Sequence, residues 1–198
     1  NALNWDGVDG TSRTVSFDEL QRLSARFANL LTTLGIGPGD CVAGLLPRTP
    51  DLFVVVLGTL RAGAVYQPLF TAFGPKALQQ RLRGSGAKLV VADTTNRPKL
   101  DEVENCPQVV TSGDARPGEP ELNAALAQQS DTFEPVMRKG KDPCLMMFTS
   151  GTTGEPKGVV VPLTALRAFY IYMRYGIGLR PDDKFWNIAD PGWAYGLY

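Results

Sequence analysis

The feature that most constrains the fold of this 198-residue chain is a regular alternation of strand-like and helix-like segments. Short apolar runs predict strands at residues 41–46, 64–67, 88–92, 108–111, 144–148, 159–161 and 184–189. Segments between them predict helices at residues 20–34, 49–61, 74–84, 98–103, 121–129 and 163–175. Because alternating strands and helices form parallel crossover units, we expect an α/β fold with a layered, mostly parallel sheet and flanking helices.

Local signals mark the ends of the predicted helices. Ser16 and Glu19 have the spacing of a capping box, and Gly35 stands where the first helix should end. Pro50 and Pro75 are expected in the first turns of the second and third helices, where the missing N–H of proline costs nothing.

A polar stretch with little periodicity divides the chain at residues 130–142 and predicts a linker. We therefore expect one α/β subdomain at residues 1–129. A second subdomain would begin at residues 143–198 and carry the loop described below.

Composition excludes several classes of function. Lys+Arg and Asp+Glu are both 20, and no basic stripe points to a nucleic-acid partner. The longest uncharged apolar run, residues 52–60, is too short to span a bilayer, so no membrane span is expected. The chain contains no histidine, which removes Ser-His-Asp and Cys-His nucleophile systems and histidine-based metal sites.

The three cysteines, Cys41, Cys106 and Cys144, predict neither a disulfide framework nor a zinc site, because their number is odd and no C-x-x-C pair occurs. No metal-ligating residues are predicted. Cys41 and Cys144 lie in apolar runs and are expected to be buried free thiols. Free thiols favour a reducing compartment, and we expect a cytoplasmic location.

The chemistry of the chain is concentrated in residues 148–159, which read FTSGTTGEPKGV and follow an apolar predicted strand. Glycine lets backbone N–H groups approach an anion, hydroxyls add donors, and a lysine supplies a point charge, so the segment predicts a phosphate-binding loop. The candidate binding residues are Thr149, Ser150, Gly151, Thr152, Thr153, Gly154 and Lys157.

Two common nucleotide-binding patterns are absent. A P-loop needs a second glycine after four intervening residues, and those positions hold Pro156 and Val159 when counted from Gly151 and Gly154. The glycines near residues 35–39 and 84–86 do not have G-x-G-x-x-G spacing either. A P-loop ATP hydrolase and a dinucleotide-binding fold are therefore disfavoured.

Residues 150–158 resemble the phosphate-loop signature SGTTG-x-PKG of the adenylate-forming, or AMP-binding, superfamily. Residues 12–20, 63–66 and 73–78 are similar to further landmarks of its acetyl-CoA synthetase-like members, and residues 188–193 resemble their A-D-x-G-W segment. The chain departs from the family after the PKG, where a histidine often stands and residues 160–163 are VVPL.

The resemblance implies a short- to medium-chain acyl-CoA synthetase of acetate or fatty acid metabolism. Such enzymes use ATP, Mg²⁺ and coenzyme A, and convert a small carboxylic acid to its CoA thioester through an acyl-adenylate, releasing AMP and pyrophosphate. The loop residues named above would bind the β- and γ-phosphates of ATP, with Lys157 stabilising phosphate charge. Trp193 would either line the acyl pocket or cap the sheet as a core residue; both interpretations stay open.

The family's adenine-side motif, ribose-binding aspartate and C-terminal domain with its catalytic lysine would all follow Tyr198. We therefore expect the chain to be the N-terminal part of such a synthetase, dependent on the missing C-terminal portion and inactive alone. Two alternatives stay open: a non-catalytic module that binds a nucleotide or polyphosphate, and an adenylation domain for peptide synthesis.

Overall fold

A computed structural model describes residues 1–149, 156–193 and 196 of the chain. Its strands are β1 (Leu3–Asp6), β2 (Ser12–Val15), β3 (Cys41–Leu45), β4 (Val65–Pro68), β5 (Leu89–Asp93), β6 (Gln108–Ser112), β7 (Pro143–Thr149) and β8 (Lys157–Pro162). Its α-helices are α1 (Phe17–Thr33), α2 (Pro50–Arg61), α3 (Pro75–Ser85), α4 (Leu122–Ala127) and α5 (Ala165–Ile171). A 3₁₀-helix spans Arg97–Glu102, and a π-helical segment spans Tyr172–Ile177.

The main sheet has six strands in the order β6-β5-β3-β4-β7-β8. All of them are parallel except β8, which runs antiparallel to β7. Helices α2, α3 and α4 and the 3₁₀-helix lie in the connections between parallel strands. The predicted α/β fold with a mostly parallel sheet is therefore confirmed.

Helices cover both faces of this sheet, and the strand residues alternate between two apolar clusters. Val42 packs in a cluster that includes Phe27 of α1 and Val55 of α2. The next residue, Ala43, packs in the opposite cluster with Leu78 of α3. Every residue of β3 is buried, as expected for a central strand covered on two sides.

The predicted helix signals form the predicted caps. The Ser16 hydroxyl accepts a hydrogen bond from the Glu19 amide at 3.0 Å. After α1, Gly35 takes a φ of +71°, which a residue with a side chain rarely adopts. Helices α2 and α3 begin at Pro50 and Pro75. The predicted helix at 163–175 is instead divided between α5 and the π-helical segment.

The predicted strand at residues 184–189 is wrong, because the structure gives this segment no strand pairing. Its apolar side chains face outward, with Trp186 77% and Ile188 74% exposed. The carbonyls of Asn187 and Ala189 accept hydrogen bonds from Arg48 instead of from a neighbouring strand. Conversely, the antiparallel pair β1–β2 was not predicted, since strands of four residues show too little alternation.

Residues 130–142 contain neither helix nor strand. They contact the first part of the chain, since Asn29 donates to the Ser130 carbonyl at 2.8 Å and Val136 donates to the Arg61 carbonyl at 2.9 Å. Strand β7, which follows them, lies beside β4 in the main sheet. The division into two subdomains stays a prediction. No helix in the described ranges is long and apolar enough to cross a membrane.

Candidate functional site

The carboxyl ends of the five parallel strands meet at one edge of the sheet, and the candidate site lies there. In open α/β sheets, ligands bind beyond this edge where the strand order reverses. Here the chain places β4 on one side of β3 and then β5 and β6 on the other, so the reversal falls between β3 and β5. Strand β7, which leads into the predicted phosphate loop, is the next neighbour of β4.

The predicted phosphate loop connects two antiparallel strands. Thr149 at the end of β7 is the register partner of Lys157 at the start of β8. Directly opposed residues of an antiparallel pair project from the same face with Cβ atoms about 5 Å apart. Both residues are exposed. The side chains of Thr149 and Lys157 therefore leave the same face of the sheet at its carboxyl edge.

The other predicted loop residues lie outside the described part of the chain: Ser150, Gly151, Thr152, Thr153 and Gly154. Their roles stay predictions. Within the described residues, the Lys157 ammonium has no ion-pair partner, which leaves its charge available to an anion.

Phe148 holds the end of β7 against α3. A Cβ added at Gly84 of α3 would lie 3.0 Å from the ring atom Cε1 of Phe148, and one added at Gly158 would lie 3.4 Å from the same atom. The ring therefore lies against two glycines, one from each neighbouring element. Gly158, the last glycine of the signature segment, thus leaves room for the Phe148 ring.

Residues 187–193, termed the crossing segment below, lie against the ends of β3 and β4. Arg48, three residues after β3, donates from Nη1 to the carbonyls of Asn187 at 2.7 Å and Ala189 at 2.8 Å. The Arg48 carbonyl accepts a hydrogen bond from the indole Nε1 of Trp5 at 2.9 Å. Arg48 thus connects the N-terminal strand pair, the end of β3 and the crossing segment.

A second set of contacts attaches the crossing segment to the loop after β4. The Thr71 hydroxyl donates to Oδ2 of Asp190 at 2.8 Å, and Oδ1 of Asp190 accepts from the Gly192 amide at 2.7 Å. Lys99 of the 3₁₀-helix donates from Nζ to the Thr71 carbonyl. Burial, together with the nearby Asp190 carboxylate, raises the pKa of the Tyr66 phenol, which stays neutral at physiological pH.

Trp193 packs against Phe70, with ring centroids 5.5 Å apart and an interplanar angle of 54°. Its side chain remains 51% exposed, so the described residues cover only part of it. Phe70 also packs edge-to-face on Phe73 at 5.4 Å. These rings form an apolar surface beyond the carboxyl end of β4. Whether it binds an acyl group stays a prediction.

Sequence reasoning missed Arg48, Thr71 and Lys99. Each stands shortly after a parallel strand, and that position is the signal that could have identified them. The described residues contain no cluster of three or more Cys, Asp or Glu side chains that could hold a metal ion. All three cysteines are free, and Cys41 and Cys144 are buried as predicted.

A separate charge network lies near the ends of β5 and β6. Arg97 pairs with Asp101 at 2.9 Å and with Glu119, and Arg116 also pairs with Asp101. The Arg97 guanidinium holds the pKa of the Glu119 carboxyl below its usual value. Because carboxylates already neutralise the charge of both arginines, we interpret this network as structural and not as an anion-binding site.

Three comparisons with known proteins agree with one another: a family model, related sequences and a solved structure. The family model described as "AMP-binding enzyme" matches residues 2–198. The acetyl-coenzyme A synthetase of Sodalis glossinidius is 32% identical over 222 residues, covering 98% of this chain and 34% of that protein. The Bacillus subtilis acetyl-coenzyme A synthetase is 35% identical over 187 residues, covering 91% and 33%.

The crystal structure of a Brucella canis acyl-CoA synthetase superimposes with a TM-score of 0.94 at 58% identity, covering 99% of this chain and 36% of that one. The chain therefore spans about a third of the length of the relatives it matches.

Proposed function

Since the chain belongs to the AMP-binding enzyme family, we propose that it is the N-terminal part of a longer ATP-dependent acyl-CoA synthetase. The observation that carries this proposal is the position of Thr149 and Lys157, the residues on either side of the signature loop, at the carboxyl edge of a sheet that matches a solved acyl-CoA synthetase. The names of the relatives favour this function over a polyphosphate-binding module or a peptide-synthesis adenylation domain.

The reaction has two steps. A carboxylate oxygen bonds to the α-phosphorus of ATP and pyrophosphate leaves, which forms an acyl-adenylate. The thiolate of coenzyme A then bonds to the acyl carbon, and AMP leaves. Neither step needs a covalent bond to the protein, so the protein's contribution is to align the reacting groups and to stabilise charge.

The loop serves the leaving pyrophosphate. The Lys157 ammonium and Thr149 hydroxyl stand on the same face of the β7–β8 pair, where both can reach one phosphate group. Ser150, Gly151, Thr152, Thr153 and Gly154 complete this proposed site for the β- and γ-phosphates. Mg²⁺ would be held mainly by phosphate oxygens, where it neutralises charge when bound, because the described residues offer no carboxylate cluster of their own.

The carboxylic acid would bind beside Trp193 and Phe70, whose rings form the apolar surface beyond the end of β4. This places the acid near the end of β4 and the phosphates near the end of β7, on neighbouring strands of one sheet. A small, mostly apolar carboxylate is the substrate class that fits such a surface.

Three further points belong to this proposal. Residues 143–198 would begin a second subdomain, after a linker at 130–142. The chain alone would not complete the reaction, since it spans only about a third of its relatives. Its three free thiols fit a reducing compartment, and we propose the cytoplasm.

Carboxylate-dependent exchange of labelled pyrophosphate into ATP tests the function. The full-length protein should catalyse exchange with one class of acid, while this chain alone should not. Lys157→Gln should lower exchange by about 100-fold, the usual loss when one charge-stabilising group is removed. Lys141→Gln is a matched control, because Lys141 is exposed and precedes β7 at its opposite end. Absence of exchange with every acid would refute the proposal.

A further inference from the structure

We propose that Thr71 and Arg48 are positioning residues that hold the crossing segment and thereby set the orientation of the Trp193 ring in the carboxylate site. The expected effect on substrate binding rests on the proposed function. The anchoring of the crossing segment by these two residues does not depend on that function.

Burial of apolar side chains explains only part of where the crossing segment lies. Pro191 is its one buried residue, Ile188 is 74% exposed, and no helix or strand spans residues 184–193. An irregular segment with little buried apolar surface needs specific polar contacts to hold one position. The contacts from Arg48 and Thr71 supply them.

Arg48 fixes the first part of the segment. Its guanidinium donates to two carbonyls, those of Asn187 and Ala189, and charge-assisted hydrogen bonds are roughly twice as strong as neutral ones. Its own carbonyl accepts from Trp5, so the backbone that carries the guanidinium is itself tied down.

Thr71 fixes the second part through a closed ring of contacts. Its hydroxyl binds Asp190, Asp190 binds the Gly192 amide, and the following residue, Trp193, packs on Phe70. Phe70 is the chain neighbour of Thr71, which closes the ring. Because Lys99 also holds the Thr71 carbonyl, the hydroxyl donates from a fixed position.

Loss of this anchoring should weaken the binding of one substrate, the carboxylate, and not of the other, ATP. Releasing Asp190 would loosen Trp193 against Phe70 and weaken carboxylate binding. It would not disturb Thr149 and Lys157, which are held by the separate pairing of β7 with β8. A general folding defect would instead affect the binding of both substrates.

The test compares Thr71→Val, which removes the hydroxyl while keeping the branched shape, with Thr71→Ser, which restores it. Thr95→Val is the matched control, because Thr95 is exposed and follows the parallel strand β5, which β3 separates from β4. In the full-length protein we expect Thr71→Val to raise the KM for carboxylate about 10-fold, as for loss of one hydrogen bond to a charged group, with the KM for ATP within about 2-fold. Thr71→Ser should recover most of the loss.

Hydrogen–deuterium exchange gives a readout that does not depend on activity. Amides of the peptide covering residues 187–193 should exchange faster in Thr71→Val and in Arg48→Met than in wild type or in Thr95→Val. Equal exchange in all four proteins would overturn the proposal, as would equal rises in both KM values. If the wild-type protein shows no carboxylate-dependent reaction, the proposed function fails, and the exchange comparison alone decides whether the two residues anchor the segment.

Discussion

Gly192 lies so close to the loop after β4 that adding a single methyl group should displace the crossing segment. A Cβ built on Gly192 would lie 2.2 Å from Cα and 2.3 Å from N of Phe70. Both are backbone atoms, which cannot move aside as the end of a flexible side chain can. Gly192→Ala is therefore a direct probe of whether the position of this segment matters.

The size of the effect follows from these distances. Carbon atoms in contact settle about 3.5 Å apart, so from a starting distance of 2.2 Å the segment must retreat by about 1.3 Å. Trp193 is the next residue and would move with it. A misplacement of about 1 Å can cost about 100-fold in rate, so we expect kcat/KM for carboxylate to fall by about that factor.

The assay is carboxylate-dependent pyrophosphate exchange by the full-length protein. Gly37→Ala is the control, because a Cβ at Gly37 meets nothing within 4 Å and Gly37 lies before β3 at the other edge of the sheet. Gly192→Ala should also leave the KM for ATP nearly unchanged. We expect kcat/KM for carboxylate to be about 100-fold lower than in the Gly37→Ala control. A value within about 3-fold of that control would refute the argument that this contact positions the substrate site.

Two further predictions concern stability. In α2, a Cβ at Gly58 would lie 2.7 Å from Cβ of Phe27, so Gly58→Ala should lower the free energy of unfolding by about 1–3 kcal/mol in urea denaturation despite the better helix propensity of alanine. Gly84→Ala should cost less, because its new methyl group meets only a ring edge 3.0 Å away; an equal cost would contradict the packing argument. Arg97 lowers the pKa of Glu119, so this carboxyl contributes stability above its unfolded pKa of about 4.5 and loses it as the pH falls through its lower folded pKa. The difference in Tm between wild type and Glu119→Gln should therefore shrink from pH 7 to below both pKa values, and a difference independent of pH would exclude this linkage.

The parts of the fold that depend on local chemistry were predictable from the sequence. Ser16, Pro50 and Pro75 determine where three helices begin, because capping and proline geometry involve only neighbouring residues. The strand predicted at residues 184–189 failed because pairing requires a partner, which periodicity does not reveal.

In the candidate site, too, only the residues that are close together in the sequence could be predicted. Thr149 and Lys157 belong to one contiguous motif and are register partners at one end of the β7–β8 pair. Arg48 and Thr71 were missed because their partners lie 139 and 119 residues away in the sequence. Only the parallel sheet, which gathers strand ends at one edge, brings these groups together.

Transfer of ¹⁸O from the carboxylate to AMP tests the central claim most directly. In the proposed reaction a carboxylate oxygen bonds to the α-phosphorus and stays there when coenzyme A takes the acyl group. With ¹⁸O-labelled acid, ATP and coenzyme A, the full-length protein should release AMP that carries one labelled oxygen, together with unlabelled pyrophosphate. Unlabelled AMP, or ADP and phosphate as the products, would contradict an adenylate-forming function for the protein that contains this chain.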